Sequence, residues 1–274
     1  MAVDLSVDMI KATVQLEQPL GDGSRTVGTG FLLSAPRPDG TPRIVLVTAA
    51  HVLQKMPDRE ARIGYRFQTS DGGWRYAPEP LTIRARGGQA GWTQNPNRDV
   101  AVMEIKAPPE FARAAIPLAW LAGEDTFAQY GVGPSDEMMA LGFPLGLSAN
   151  QAGFPILRAG RVASWPLAPS TAFPTFLLDF SVFPGNSGGP VYMDQTERKR
   201  GGPHEAQFIA GLLTQQVELS GNRLDIGIVV HARYIRETIE MLDGRIPAPV
   251  DIAHMEPAPK GAVAASAEAM GQPR

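Results

Sequence analysis

The sequence lacks several features on which large classes of protein depend. It contains no cysteine, which excludes disulfides, a thiol nucleophile and thiolate metal ligands. Its strongest apolar run, Ile44–Ala50, has seven residues, whereas a membrane-spanning helix needs about 20. Basic and acidic residues number 25 and 28, for a net charge of −3. Because no basic stripe is present, neither a nucleic acid nor a membrane is expected as a partner.

The N-terminal segment also lacks the pattern of a secretory signal. Asp4 and Asp8 stand where a signal peptide carries basic residues, and no apolar segment follows them. The absence of cysteine is compatible with a reducing compartment. We therefore expect a cytoplasmic protein, and we expect it to be a monomer.

Glycine and proline are abundant, with 29 and 25 residues, and they favour many turns between short strands. Short runs with the alternation of β-strands recur in two sets, which an Ala-, Pro- and Gly-rich connector at 107–136 separates. This arrangement suggests two small antiparallel β-barrels.

One helix is predicted near the end of the chain. Ala232, Ile235, Ile239 and Leu242 fall on one apolar face at helical spacing, and the helix is expected at about 231–243. The Pro- and Ala-rich segment that follows, 246–274, has few large apolar residues and is predicted to be a disordered tail.

Three residues stand in sequence contexts that could carry chemistry. His51 follows a buried-looking strand and two alanines that leave room around its imidazole, and Asp99 opens another strand. Ser187 lies in Gly185-Asn186-Ser187-Gly188-Gly189, where glycines permit close approach of a substrate and consecutive N–H groups can bind an anion. Taken singly, these are ordinarily a core or surface histidine, a turn residue and a glycine-rich hairpin.

Taken together, the three residues complement one another. A serine needs an adjacent base to become a nucleophile. Histidine is the natural base, and a buried carboxylate fixes its tautomer and stabilises the imidazolium. The chain order His51, Asp99, Ser187 is that of the chymotrypsin-type triad.

The motifs around these residues resemble those of a known family. Thr48-Ala49-Ala50-His51, Asp99-Val100-Ala101-Val102 and Gly185-Asn186-Ser187-Gly188-Gly189-Pro190 are similar to the catalytic motifs of trypsin-like serine proteases, in the bacterial HtrA-like form. Gly28-Thr29-Gly30-Phe31 and Gly142-Phe143-Pro144-Leu145-Gly146 are supporting matches. The resemblance covers roughly residues 10–243.

The resemblance implies an all-β, chymotrypsin-like fold with two antiparallel six-stranded β-barrels and a C-terminal α-helix. The protease domain would span residues 1–245, with the first barrel at about 10–115 and the second at about 130–230. HtrA proteins also carry a PDZ domain after the protease, and the residues beyond the predicted helix are too few for one.

The resemblance also implies a role for each residue. Ser187 would be the nucleophile, His51 the general base and acid, and Asp99 the carboxylate that orients it. The N–H groups of Gly185 and Ser187 would form the oxyanion hole. The implied function is a serine endopeptidase that acts on proteins or peptides through an acyl-enzyme, with no metal or organic cofactor.

The same resemblance assigns substrate-binding residues. Thr214, Gln215 and Gln216 would pair with the substrate backbone, and Ser181, six residues before the nucleophile, would form the base of the specificity pocket. Because Ser181 is not acidic, a small or medium apolar P1 residue is favoured. Asp225, near the opposite wall, leaves open a basic P1 residue. Asn186 replaces the aspartate on which the zymogen switch of digestive relatives depends, so that switch should be absent.

Other interpretations stay open at this point. The same glycine motif fits the nucleophile elbow of α/β-hydrolases, which requires a helix directly after the serine and here a partner such as Asp225 with His231. A protease-like fold could also serve only for binding. A third possibility is an enzyme that stays inactive until a protein partner orders the Gly185–Ser187 loop.

Overall fold

A computed structural model describes residues 4–195, 205–219 and 222–246, and the description below is confined to them. Apart from its first residue, the predicted tail at 246–274 lies outside the described residues. The strands are β1 (Thr13–Pro19), β2 (Arg25–Ser34), β3 (Ile44–Thr48), β4 (Glu60–Gln68), β5 (Trp74–Thr82), β6 (Thr93–Gln94), β7 (Ala101–Ile105), β8 (Ile116–Pro117), β9 (Glu137–Gly142), β10 (Ile156–Val162), β11 (Thr175–Asp179), β12 (Pro190–Gln195), β13 (Ala206–Leu219) and β14 (Asn222–His231).

The helices are short and lie mostly outside the sheets. They are α1 (Leu5–Ala12), α2 (Ala50–Gln54), α3 (Pro109–Ala114), α4 (Thr126–Gln129) and α5 (Ala232–Leu242), with 3₁₀ turns at Leu118–Trp120 and Pro144–Gly146. Within the described residues, none of the helices has both the length and the apolar character needed to cross a bilayer.

The first half of the chain forms an eight-stranded sheet that does not close. Its hydrogen-bonded order is β5-β4-β1-β2-β3-β7-β6, with β8 parallel beside β2. The prediction of a closed six-stranded barrel in this half is therefore not confirmed. The two ends of the sheet offer little for pairing: β5 contains Pro78 and Pro80, which lack an N–H donor and are confined to sheet edges, and β6 has only two residues.

The second half forms a closed six-stranded barrel, as predicted. Its order is β10-β11-β14-β13-β12-β9, and all the neighbouring pairs are antiparallel. Buried Phe176, Leu178, Tyr192 and Leu212 contribute to its core. His51 and Asp99 belong to the first half, where His51 lies in α2 and Asp99 precedes β7. Ser187 belongs to the second half and precedes β12.

Helix α1 was not among the elements predicted from the sequence. The Asp4 carboxylate accepts a hydrogen bond from the Val7 N–H and caps the helix. At the other end, the buried guanidinium of Arg66 donates to the carbonyl oxygens of Ile10 and Lys11. Tertiary contacts at the helix end therefore compensate for the short length of α1.

The predicted terminal helix forms as α5 and joins the two halves of the protein. Ile235 and Ile239 on its apolar face are buried. At its C-terminal end, Asp243 lies 2.6 Å from a guanidinium nitrogen of Arg43, which belongs to the first half, and both side chains are almost fully buried. The angles between these groups do not meet hydrogen-bond geometry, so this contact is an ion pair.

We expect Arg43→Ala to lower the free energy of unfolding by up to about 3 kcal/mol, because it leaves the buried Asp243 carboxylate with only the half-exposed Arg245 as a partner. The measurement is a denaturant titration at neutral pH. Arg245→Ala is the matched control: Arg245 also contacts Asp243 but is about half exposed, so its removal should change stability little. Equal losses in the two variants would contradict the role of burial.

His231 should make stability depend on pH. It lies 4.9 Å and 5.0 Å from the rings of Phe127 and Phe176, and burial lowers its pKa to about 4. Because the folded-state pKa lies below the ordinary value of about 6.5, folding favours the neutral imidazole. The stabilisation is present above pH 6.5 and is lost as the pH falls towards 4. His231→Phe should remove this component of the pH dependence, as measured by denaturant titrations from pH 7.5 to 4; an unchanged dependence would contradict it.

Candidate functional site

The side chains of His51 and Asp99 form a close pair at the edge of the first sheet. His51 lies in α2, directly after β3, and Asp99 precedes β7, which pairs with β3. The imidazole Nδ1 is 2.6 Å from one carboxylate oxygen, and the His51 backbone N–H donates to the other at 2.9 Å. This two-point contact favours the tautomer that carries its proton on Nδ1, which leaves Nε2 as a proton acceptor.

A glycine of β2 lets the helix that carries His51 pack closely on the sheet. A Cβ atom at Gly28 would lie 2.3 Å from a methyl group of the buried Val52 in α2. The first glycine of the Gly28-Thr29-Gly30 motif is therefore needed to place α2, and with it the imidazole.

Ser187 lies in a tight turn, residues 183–189, that packs against β2 and β3. Gly185 and Gly188 have φ angles of +97° and +90°, which side chains disfavour. A Cβ atom at Gly188 would also lie 2.0 Å from the Thr29 carbonyl oxygen and 3.1 Å from the Ala49 nitrogen. Because Ala49 precedes His51 by two residues, the turn of Ser187 and the start of α2 are in contact.

The Ser187 hydroxyl itself is hydrogen-bonded elsewhere. It donates to the carbonyl oxygen of Thr214 at 2.6 Å, and among the described residues it has no hydrogen bond to His51. The structure thus pairs His51 with Asp99 directly, and it brings the backbone of the Ser187 turn beside them. The serine hydroxyl is held by β13.

Two hydrogen bonds orient peptide groups of the turn, and a third positions the hydroxyl that makes one of them. The Leu145 N–H donates to the Pro184 carbonyl oxygen at 2.6 Å. The buried Thr29 hydroxyl donates to the Gly185 carbonyl oxygen at 2.6 Å and accepts from the Phe143 N–H at 3.1 Å. In a trans peptide the N–H points opposite to the C=O, so the first bond directs the Gly185 N–H away from Leu145.

Two N–H groups of the turn are left available. Within the described part of the chain, neither the Gly185 N–H nor the Ser187 N–H donates to a protein acceptor. The carbonyl on the other side of the Asn186–Ser187 peptide accepts from the Gly189 N–H at 3.0 Å. Sequence reasoning proposed these two donors but missed two groups that act across the fold. Leu145 orients the peptide that carries the Gly185 N–H, and the hydroxyl of Thr29 fixes the Gly185–Asn186 peptide that lies between the two donors.

The predicted substrate-binding residues fall at two places beside the turn. Thr214 is buried and its hydroxyl donates to the Ile228 carbonyl oxygen, while Gln215 is exposed. Gln216 pairs through its backbone with Gly227 of β14. The ladder between β12 and β13 reaches Leu212, and backbone hydrogen bonds then join Leu213 to Gly188 and Gly189. From Thr214 onwards, none of the described strands pairs with β13 on the side of Ser187.

Ser181, the predicted base of the specificity pocket, lies in the chain between β11 and the Ser187 turn. Its carbonyl oxygen accepts a hydrogen bond from the Arg158 guanidinium at 2.6 Å. Asp225 is exposed on β14 and has a φ of +53°. Arg158 was missed in the sequence, because nothing in its local pattern indicates that β10 places it beside Ser181.

Two alternative chemistries find no support in this geometry. After Ser187 the chain enters strand β12 at Pro190, whereas a nucleophile elbow requires a helix there, and His231 is buried between aromatic rings. In the part of the chain that the structure describes, no three His, Asp or Glu side chains cluster as metal ligands.

Comparisons with known proteins agree with this architecture. Residues 28–199 match the family model of the trypsin-like peptidase domain. The fold is similar to the HtrA-type protease AlgW with a tripeptide (18% identity, TM-score 0.54), covering 88% of this chain and 63% of that one. It is also similar to AlgW with a decapeptide (16% identity, TM-score 0.50), covering 88% and 68%. At this identity the likeness is one of fold.

The chain thus spans somewhat less than two thirds of the AlgW chain that carries the tripeptide. No curated protein sequence matches significantly. The family model, however, covers more than half of the 274 residues and includes the positions of His51, Asp99 and Ser187. On this evidence the chain belongs to the trypsin-like peptidase family.

Proposed function

We propose that the protein is a serine endopeptidase with Ser187 as nucleophile, His51 as general base and acid, and Asp99 as the orienting carboxylate. The observation that carries the proposal is the two-point contact of Asp99 with His51, at 2.6 Å to Nδ1 and 2.9 Å to the backbone N–H. That contact leaves Nε2 as the acceptor that a serine nucleophile requires.

The reaction is an acyl transfer in two stages. The Ser187 oxygen attacks the carbonyl carbon of the scissile peptide bond while His51 takes the hydroxyl proton. His51 then gives this proton to the leaving amine as the carbon–nitrogen bond breaks, which leaves an acyl-enzyme. Water attacks the ester by the same route and restores the serine.

The remaining proposed groups stabilise and position the substrate. The N–H groups of Gly185 and Ser187 have no competing acceptor among the described residues, and they would bind the oxyanion that forms in each stage. The unpaired edge of β13 at Thr214, Gln215 and Gln216 would accept an extended peptide as an added strand. Ser181 would form the base of the pocket for the P1 side chain.

A gated form of the same enzyme is the second candidate. The Ser187 hydroxyl donates to the Thr214 carbonyl oxygen, so it must leave this acceptor before His51 can take its proton. A protein partner or the substrate itself could provide that change by occupying the edge of β13. In the alternative binding-only function, the hydroxyl would keep its bond to Thr214.

A fluorophosphonate probe tests the proposal directly. We expect the full chain to be labelled at Ser187, either alone or only after lysate is added, and site mapping by mass spectrometry identifies the residue. Labelling without lysate supports constitutive activity, and labelling only with lysate supports gating. A chain that stays unlabelled in both conditions would contradict the peptidase and favour the binding-only function.

Ser187→Ala should lower kcat for a cleaved peptide at least about 10⁴-fold, because the nucleophile is lost and only binding and oxyanion stabilisation remain. The measurement is the single-turnover cleavage of a peptide found with the parent chain. Ser24→Ala is a control, since Ser24 is exposed and its hydroxyl bonds the nearby Asp22, which has no role in the proposed reaction. A Ser187→Ala variant as active as the parent would refute the assignment.

Thr29→Val should lower kcat about 10- to 100-fold with little change in KM, because small displacements of the oxyanion donors weaken binding of the transition state. The measurement is steady-state kinetics with the same peptide. Thr29→Ser keeps the hydroxyl and should restore most of the rate. The affinity for a peptide aldehyde, which forms an oxyanion on Ser187, should fall in parallel with kcat.

Thr13→Val is the matched control for this prediction. Thr13 is also fully buried, and its hydroxyl also donates to a backbone carbonyl, that of Met9 at 2.7 Å. Thr13→Val should lose somewhat less stability than Thr29→Val, because the Thr13 hydroxyl makes one hydrogen bond and the Thr29 hydroxyl makes two. If Thr13→Val lowers kcat as much as Thr29→Val, the loss reflects general destabilisation and the positioning role of Thr29 is wrong.

A further inference from the structure

Arg158 lies against the segment that leads to the Ser187 turn. It lies in β10, on the same face as the buried Gly160 and Val162, and it is only partly exposed. Its guanidinium donates to the Ser181 carbonyl oxygen at 2.6 Å. The guanidinium carbon lies 5.5 Å from the ring centre of Phe180 and 5.6 Å from that of Phe183. The positive charge therefore lies close to two aromatic rings of the segment that leads to Ser187.

This charge has no acidic partner in the described part of the chain. The salt bridges that the described residues form do not include Arg158, and one hydrogen bond uses one of its five N–H groups. Ring faces attract a cation only modestly, and removing a charge from water without an opposite charge is costly. The site consequently favours the arrival of an anion that can use the remaining donors.

The position of the charge relates it to the reacting groups. The Phe183 carbonyl oxygen accepts from the Asn186 N–H at 3.0 Å and closes the turn that carries Ser187. On the other side, the Phe180 ring lies directly under Gly227 of β14, where a Cβ atom would approach it to 2.9 Å. Arg158 thus contacts both Ser181, the residue proposed above for the base of the P1 pocket, and Phe180, whose ring lies against Gly227 of β14.

We propose that Arg158 determines the specificity of the peptidase and selects an acidic P1 residue, aspartate or glutamate. This inference rests on the proposed function. The P1 carboxylate would accept charge-assisted hydrogen bonds from the guanidinium N–H groups of Arg158 that make no bond to the described residues. This preference for an acidic P1 residue replaces the preference for a small apolar one that the identity of Ser181 alone suggested.

Asp225 is the competing determinant, because its carboxylate would select a basic P1 residue. It is exposed, so water and salt screen its charge. Arg158 is partly buried close to two aromatic rings, so its charge is screened less and acts more strongly on a bound side chain. The two residues therefore predict opposite substrate preferences, which a single peptide series separates.

The test uses the full chain and four peptides that differ only at P1, with Glu, Gln, Val or Arg. We expect kcat/KM for Glu to exceed that for Gln about 10- to 100-fold, the range for a hydrogen-bonded charge. Arg158→Gln should remove this ratio, and Arg158→Glu should favour the peptide with Arg. Arg158→Lys keeps the charge and should retain a smaller preference for Glu, which also covers the case in which Arg158→Gln fails to fold.

Arg161→Gln is the matched control. Arg161 lies on the same strand, but it is exposed and donates to the Ser135 carbonyl oxygen, so its loss should leave the P1 profile unchanged. A parent enzyme that prefers Val or Arg overturns the inference. So does an Arg158→Gln variant that loses rate equally on all four peptides, since Arg158 would then only support the turn.

The fluorophosphonate probe separates these failures from failure of the proposed function. Its reaction with Ser187 does not require a P1 side chain. A chain that reacts with the probe but shows no preference for Glu contradicts the role of Arg158 and leaves the peptidase intact. A chain that never reacts at Ser187, with or without lysate, contradicts both.

Discussion

The contact between Thr29 and the Ser187 turn is the constraint on which the proposed active site depends. Thr29 belongs to the first sheet, whereas the turn belongs to the barrel. The Thr29 backbone N–H donates to the Ser187 carbonyl oxygen at 2.9 Å, and the Thr29 hydroxyl donates to the Gly185 carbonyl oxygen at 2.6 Å. A residue of one half thereby orients the peptide groups of the other, so the proposed oxyanion donors and the His51–Asp99 pair keep a defined relation only while both halves stay in contact.

Other contacts maintain that relation by crossing between the halves. Helix α1, at the start of the chain, is held against β12 by hydrogen bonds from the Ser6 N–H and hydroxyl to Asp194. Helix α5, the last described helix, is held against the first half by the buried ion pair of Arg43 with Asp243. Because each of these two helices packs on the other half, separating the halves would expose buried charge and apolar surface. The proposed site therefore sits on a rigid support.

The sequence was most informative where chemistry restricts the choice of residue. Gly188 was recognisable as part of the glycine-rich motif around Ser187, and a side chain there would indeed collide with the Thr29 carbonyl oxygen. Helix α5 was recognisable from its apolar spacing. Helix α1 was missed because its stability comes from Asp194 and Arg66, which are distant in sequence. The open first sheet was missed because closure depends on how far two edge strands lie apart, which no local pattern records.

The sequence by itself determined the residue types that could act as nucleophile, base and orienting carboxylate, since serine chemistry at neutral pH requires those partners. It also placed the glycines that such a turn needs. Only the tertiary structure decided which N–H groups of the turn lack an acceptor among the described residues, which acceptor binds the Ser187 hydroxyl, and that Arg158 contacts Ser181. These properties depend on distances between residues far apart along the chain, and the fold alone sets such distances.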